Sequence, residues 1–329
     1  MFVILSKDIT MAKISIIIPC YFNQDNIPAT TEKLLEVEKM YPLETDIEYV
    51  FVDDGSTDNT LTELLKFHYS LPERTKIIKL VANVGSYNAV LAGISNAQSD
   101  CIAVISADLQ DPPELLPEMF GHWIDGHKLV LAHREKRNDP WIDKIFSNFF
   151  HKIIKKYAVR NIPEGGFDVV LFDKELQKEL VRMQEKNTNI FYLMPFLGYK
   201  PYTIKYERRK RDLGKSMWTF QKKIKLLIDS FIAFSFLPIR IISILGLGLG
   251  ILATLYACIL IVLRLTGIIT VEGWTAIMVV ILFVSAFQMI AMGIIGEYVW
   301  RTLDTVRNRP IYLIDKIFST QNTENEKSS

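Results

Sequence analysis

Cysteine is scarce in this chain of 329 residues. Its three copies, Cys20, Cys101 and Cys258, are far apart and lack any Cys-x-x-Cys or Cys/His spacing, which excludes a disulfide framework and a zinc centre. They read as small buried apolar residues in a reducing compartment. The histidines, His68, His122, His127, His133 and His151, show no metal-ligand spacing either and are assigned to packing or surface positions. An excess of one charge is also missing. With 38 Lys and Arg against 37 Asp and Glu, no global field favours nucleic acid, and any basic patch must be local. Residues 1–13 lack the basic, apolar and small-residue succession of a signal peptide, so the N-terminal domain is expected to stay in the cytosol.

Short apolar runs, in contrast, are plentiful. ISIIIP (14–19), IEYVFVDD (47–54), KIIKL (76–80), CIAVIS (101–106) and KLVLA (128–132) alternate with stretches of helical period as far as Tyr206. Runs that are apolar without alternation predict strands buried on both faces. The expected fold is therefore α/β, a mostly parallel sheet sandwiched by helices, with its ligand beyond the carboxyl ends of the strands.

After Tyr206 the composition changes twice. A basic segment comes first (Arg208, Arg209, Lys210, Arg211, Lys215, Lys222, Lys223, Lys225), then two charge-free apolar runs, 241–263 and 274–295. Each run has the roughly 20 residues that a bilayer crossing needs, and Trp274 and Trp300 stand where interfacial aromatics belong. Basic residues flank both outer ends, with Arg301, Arg307 and Arg309 after the second run, so the positive-inside rule places both flanks in the cytoplasm. The mixed stretch 218–238 predicts a helix lying in the interface plane, broken by Pro238. Four regions follow: a cytoplasmic domain (1–206), a basic loop with an interfacial helix (207–240), two C-terminal transmembrane helices (241–300) and a cytoplasmic tail (301–329).

Three segments carry polar residues at strand ends. VFVDDGSTDNT (50–60) ends a strand in Asp53 and Asp54, turns at Gly55 and offers Asp58 as a helix N-cap; a carboxylate placed there can accept hydrogen bonds from a nucleotide. NVGSYNAVLAG (83–93) puts Asn83 and Gly85 before a helix that Ser86 can cap. This is either a phosphate-attracting helix start or an ordinary cap. SADLQDPPE (106–114) follows a strand. Asp111 as N-cap, Pro112 at the first helical position and Glu114 three residues after the cap account for its second half and leave Asp108 and Gln110 over. Hard oxygen ligands in that position suit Mg²⁺ or Mn²⁺.

PCYFNQDNI (19–27), VDDGSTD (52–58), NVGSYNAVLAG and SADLQDPPE occur in the order and spacing of family 2 glycosyltransferases. With RKRDLGKSMWTF (209–220) and the two apolar runs, the chain resembles the polyprenyl-phosphate branch of that family nearly end to end. The resemblance implies a GT-A-like fold and sugar transfer from a nucleotide diphosphate sugar, UDP-linked by expectation, to a polyprenyl phosphate lipid at a bacterial inner membrane. It matches Pro19, Tyr21, Asn23 and Asp53 to the nucleotide pocket and Asp108 and Gln110 to the site for Mg²⁺ or Mn²⁺ and the diphosphate. One position departs: Ser106 stands where the family has the first carboxylate of an Asp-x-Asp pair, removing a charge from the metal site.

PEGGFDVVLFDK (163–174) matches the acceptor-side strand, with Asp168 the favoured general base, although some relatives carry an Asp at the position of Gly166. A phosphate monoester, with a second pKa near about 6, needs little help from a base. Arg209, Arg211 and Lys215 are the residues expected to grip the lipid phosphate, with general attraction to anionic lipid as the plainer role. Two rivals stay open. A processive polysaccharide synthase is disfavoured by having only two spans and no Gln-x-x-Arg-Trp motif; a non-catalytic binding protein is what Ser106 would favour. The sugar and the oligomeric state, including a homo-oligomer, are not legible.

Overall fold

The computed structural model describes residues 12–134, 167–183, 189–209, 237–266 and 273–320. It divides into a sheet-bearing unit, formed by residues 1–230 together with 310–329, and a helical unit, 231–309.

The first unit is built on β1 (Lys13–Cys20), β2 (Asp46–Asp53), β3 (Thr75–Leu80), β4 (Cys101–Val104), β5 (Leu129–Arg134), β6 (Phe167–Asp173), β7 (Tyr202–Tyr206) and β8 (Ile314–Phe318). Their order in the sheet is β7-β5-β6-β4-β1-β2-β3-β8. β1 pairs in parallel with β2 and β4, as do β2 with β3 and β5 with β7. β6 runs antiparallel to β4 and β5, and β8 antiparallel to β3. The sheet is thus mixed, with all strands but β6 and β8 sharing one direction, so the expected mostly parallel α/β sandwich holds.

Helices cover both faces. Ile14, Ile16 and Ile18 alternate onto one core with Leu34 and Val37 of α1 (Ile27–Glu38), Leu64 and Phe67 of α2 (Thr60–Ser70) and Leu116, Met119 and Phe120 of α4 (Leu115–Ile124). The opposite face packs on α3 (Ser86–Asn96), where Gly93 comes so close that an added Cβ would lie 2.5 Å from Ile17 Cγ2. A strand that buries both faces needs apolar residues at every position, which is why these strands read as unbroken runs. α5 (Lys174–Arg182) and α6 (Ile190–Phe196) complete the unit.

Several local expectations are corrected. The cap of α3 is Gly85, at φ +90°, with Ser86 its first helical residue. Helix α2 begins at Thr60, so Asn59 holds the cap position, and the Asp58 carboxylate accepts from the Thr60 amide, one residue earlier than a bond from the cap itself. Helix α4 begins at Leu115, so Asp111 is not its N-cap and Pro112 not its first residue. The segment read as a tail, 301–329, contains β8. Cys20 and Cys101 are buried as expected, whereas Cys258 is exposed on an apolar helix.

That helix is α7 (Leu237–Leu265), of 29 residues, and α8 (Trp274–Val306), of 33 residues, follows it. At about 1.5 Å per residue both exceed the roughly 30 Å of a bilayer core. Pro238 is the second of the described residues of α7. Ile244, Leu247, Leu255, Phe283, Met289 and Met292 are exposed, an apolar surface suited to lipid. The interfacial-helix stretch, apart from its last two residues, lies outside the described residues.

Candidate active site

The carboxyl ends of β1, β2, β3 and β4 are neighbours, so the loops that leave them meet along one edge of the sheet. The ends of β5 and β7 reach the same edge. Because β6 runs the other way, Asp168 near its start also belongs there.

Asp53 and Asp54 are buried at the end of β2. The Oδ1 of Asp54 accepts the Val84 amide at 2.7 Å; its Oδ2 accepts the Gly85 amide and the Asn83 side-chain amide, each at 3.0 Å. Burial pushes this carboxyl up to about 6, with the two backbone amides pulling the other way. Asp54 therefore folds the β3–α3 loop over the end of β2. Asn83 and Gly85, selected from the sequence as ligand groups, are its supports.

Asp53 Oδ1 accepts the Ser56 amide at 3.0 Å, while its Oδ2 is buried with no hydrogen-bond partner. Burial raises this carboxyl too. A buried acceptor without a donor is costly, and a ligand N–H or O–H reaching it would relieve that cost. Gly55 packs directly against the loop: an added Cβ on it, at φ +68°, would lie 2.7 Å from the Ala82 carbonyl carbon. The β1 loop completes this side. Pro19 pairs with Val52, the Asn23 side chain accepts the Tyr21 amide at 2.7 Å, and the Tyr21 and Phe22 rings meet edge to face. Cys20 lies beneath, its thiol pushed well up by burial and by Asp53, and so held protonated.

Beyond β4, Asp108 Oδ1 accepts the Ser106 hydroxyl at 2.8 Å and the Gln110 amide at 3.2 Å. Ser106 Oγ also lies 3.0 Å from Asp111 Oδ2. Asp111 is the residue that sequence reasoning misplaced. It is 1 % exposed, accepts the Tyr206 hydroxyl at 2.6 Å, and lies 3.3 Å from Arg208 Nε. Its carboxyl is raised by burial and next by Asp168, and lowered by Arg208.

Arg134 at the end of β5 pairs with Asp168, the favoured base, so that carboxylate is already engaged by a cation. The Arg209 amide donates to Gln110 O at 2.9 Å, and its guanidinium donates to Glu114 at 3.1 Å. The structure thus gathers Asp108, Gln110, Asp111, Asp168, Arg134 and the start of the basic segment; Arg211 and Lys215 lie outside the described residues. Arg134 and Tyr206 were missed, although both satisfy the strand-end rule that singled out Asp53.

Among the described residues no group of three His, Cys, Asp or Glu side chains is placed to hold a metal alone. Asp108 with Ser106 and Gln110 still offers hard oxygen donors. Such a set fits Mg²⁺ or Mn²⁺ when a substrate supplies phosphate oxygens for the remaining positions.

The family described as Glycosyl transferase family 2 matches residues 15–181, from β1 into α5. The chain is 33 % identical over 316 residues to a Synechocystis glycosyltransferase, covering 96 % of this chain and 98 % of that one. It is 30 % identical over 308 residues to the undecaprenyl-phosphate 4-deoxy-4-formamido-L-arabinose transferase of Proteus mirabilis, covering 93 % and 94 %. With the bactoprenol glucosyl transferase of Shigella phage SfII it shares 30 % over 305 residues, covering 92 % and 98 %. The sheet edge, its acidic loops and these matches agree that the chain belongs to glycosyltransferase family 2 and is a sugar-transferring enzyme.

Proposed function

We propose that the protein transfers a sugar from a nucleotide diphosphate sugar, a UDP-sugar by preference, to undecaprenyl phosphate or a similar polyprenyl phosphate, with inversion. The carrying observation is that the two relatives whose names specify such lipids align over more than nine-tenths of both chains. The aligned lengths take in α7 and α8, which the family match, ending at residue 181, does not reach.

In this reading Pro19, Tyr21, Asn23 and Asp53 receive the nucleotide, and Asp54 holds the loop that closes its pocket. Asp108, with Ser106 and Gln110, would hold Mg²⁺ or Mn²⁺, which supplies charge neutralisation for the departing diphosphate. An oxygen of the lipid phosphate attacks the anomeric carbon as the bond from that carbon to the diphosphate oxygen breaks, and the nucleoside diphosphate leaves. The acceptor is largely ionised at neutral pH, so Asp168, paired to Arg134, orients cationic groups and need not remove a proton. Arg209, Arg211 and Lys215 aim the lipid phosphate. The described residues up to 209 and those from 310 to 320 belong to one folded unit. Two crossings satisfy that connectivity, which supports a multi-pass inner-membrane enzyme with a cytoplasmic catalytic unit.

The test is transfer of radiolabel from UDP- and GDP-sugars into butanol-extractable lipid by membranes carrying the wild-type protein or Asp108→Ala, with and without Mg²⁺. Labelled lipid from one donor is expected, falling about 10²-fold or more in the variant. No labelled lipid from any donor, with folded protein and added undecaprenyl phosphate, would reject the proposal.

A further inference from the structure

β8 is formed by residues that follow the apolar helices, yet it lies on the strand that leads into the donor-side loop. Ile77 pairs with Phe318, Ile78 with Ile317 and Lys79 with Lys316, and the register shifts between Lys79 and Leu80, where the ladder gives way to the loop. Past that shift the Val81 amide donates to Leu313 O at 2.9 Å. Lys79 pairs with Asp315, the Thr320 hydroxyl donates to Pro72 O at 2.7 Å, and Ile311 is buried.

The connection to the site is direct. Lys79 is in register with Asp53 on β2. Two residues beyond Val81, the loop begins to supply the three donors that hold Asp54, and Ala82 with Asn83 forms the wall against Gly55. Without β8, β3 would be a free edge, and the Val81 amide would lose the partner that fixes where the loop starts.

We propose that the 311–320 segment is a positioning element of the donor site: docked on β3, it sets the 81–85 loop and, through it, Asp53 and Asp54, so nucleotide affinity depends on residues beyond the apolar helices. The proposal rests on the reading of this edge as the nucleotide site.

The experiment measures binding of UDP and GDP, each with Mg²⁺, to the full-length protein in detergent by calorimetry. It compares wild type with Asp315→Lys, and with a chain ending at Arg309 to which a synthetic 310–320 peptide is added back. Asp315→Lys sets two lysines side by side and is expected to weaken binding about threefold. The shortened chain is expected to lose about tenfold and to regain it with the peptide, which would add as a strand. In turnover assays the donor KM is expected to rise for Asp315→Lys, while kcat and the lipid KM stay within about twofold.

Equal nucleotide affinity in all three proteins would overturn the proposal, as would a fall in kcat with donor KM unchanged, which is the mark of a merely structural edge. If the shortened chain fails to fold, unchanged affinity in Asp315→Lys suffices to overturn it. Wild-type protein that binds neither nucleotide would remove the underlying site reading itself.

Discussion

Asp54 carries opposing forces within one side chain. Burial disfavours its charge, yet Val84, Gly85 and Asn83 donate to it and need an acceptor. Its folded-state value of about 6 lies above the ordinary 3.8, so the native state binds this proton more tightly than the unfolded chain. Ionising it therefore lowers stability as pH rises from about 4 to about 6, by about 3 kcal/mol in total, and adds no slope above that window. Asn at this position cannot titrate, and its NH₂ group would face a donor. The melting-temperature advantage of wild type over Asp54→Asn is expected to shrink between pH 4 and 6 and then stay flat in thermal scans. An advantage that grew across the window would contradict the burial argument.

At the scale of elements, the turn after β2 depends on Gly55 for two separable reasons. Its φ of +68° disfavours a side chain, and the Ala82–Asn83 backbone occupies the space a Cβ would need. Gly85 shares only the first reason, since at φ +90° it faces open space. Gly55→Ala should therefore cost about 1–3 kcal/mol and weaken nucleotide binding through the displaced loop, whereas Gly85→Ala should cost about 1 kcal/mol. Paired melting and binding measurements on the two variants check this. The buried strands, β1 and β2 above all, were legible in the sequence because burial on both faces leaves an unbroken apolar run. β8 was not: as an edge strand it keeps Asp315 and Lys316 exposed, and its partner lies more than 230 residues earlier. Asp111 shows the same limit in the site. Asp-Pro-Pro-Glu is a local helix-start pattern, but Tyr206, 95 residues away, claims the carboxylate, and no local pattern reports that. The positions of Asp53, at the end of β2, and of Asp108, in the loop after β4, were legible because each follows directly from the apolar strand before it.

At the scale of the molecule, the chain leaves the sheet-bearing unit, forms two apolar helices and comes back to it. Tags or single reactive cysteines at residue 44, in the exposed turn before β2, and at residue 320, after β8, are expected to react from one side of sealed membrane vesicles. A membrane-impermeant thiol reagent that labelled them from opposite sides would rule out the two-crossing arrangement. That return path also has a meaning in time. During synthesis β3 emerges from the ribosome with its outer side bare, and the strand that covers it is made only after α7 and α8. The sheet of this enzyme is therefore finished last along β3, by residues translated after the two long apolar helices.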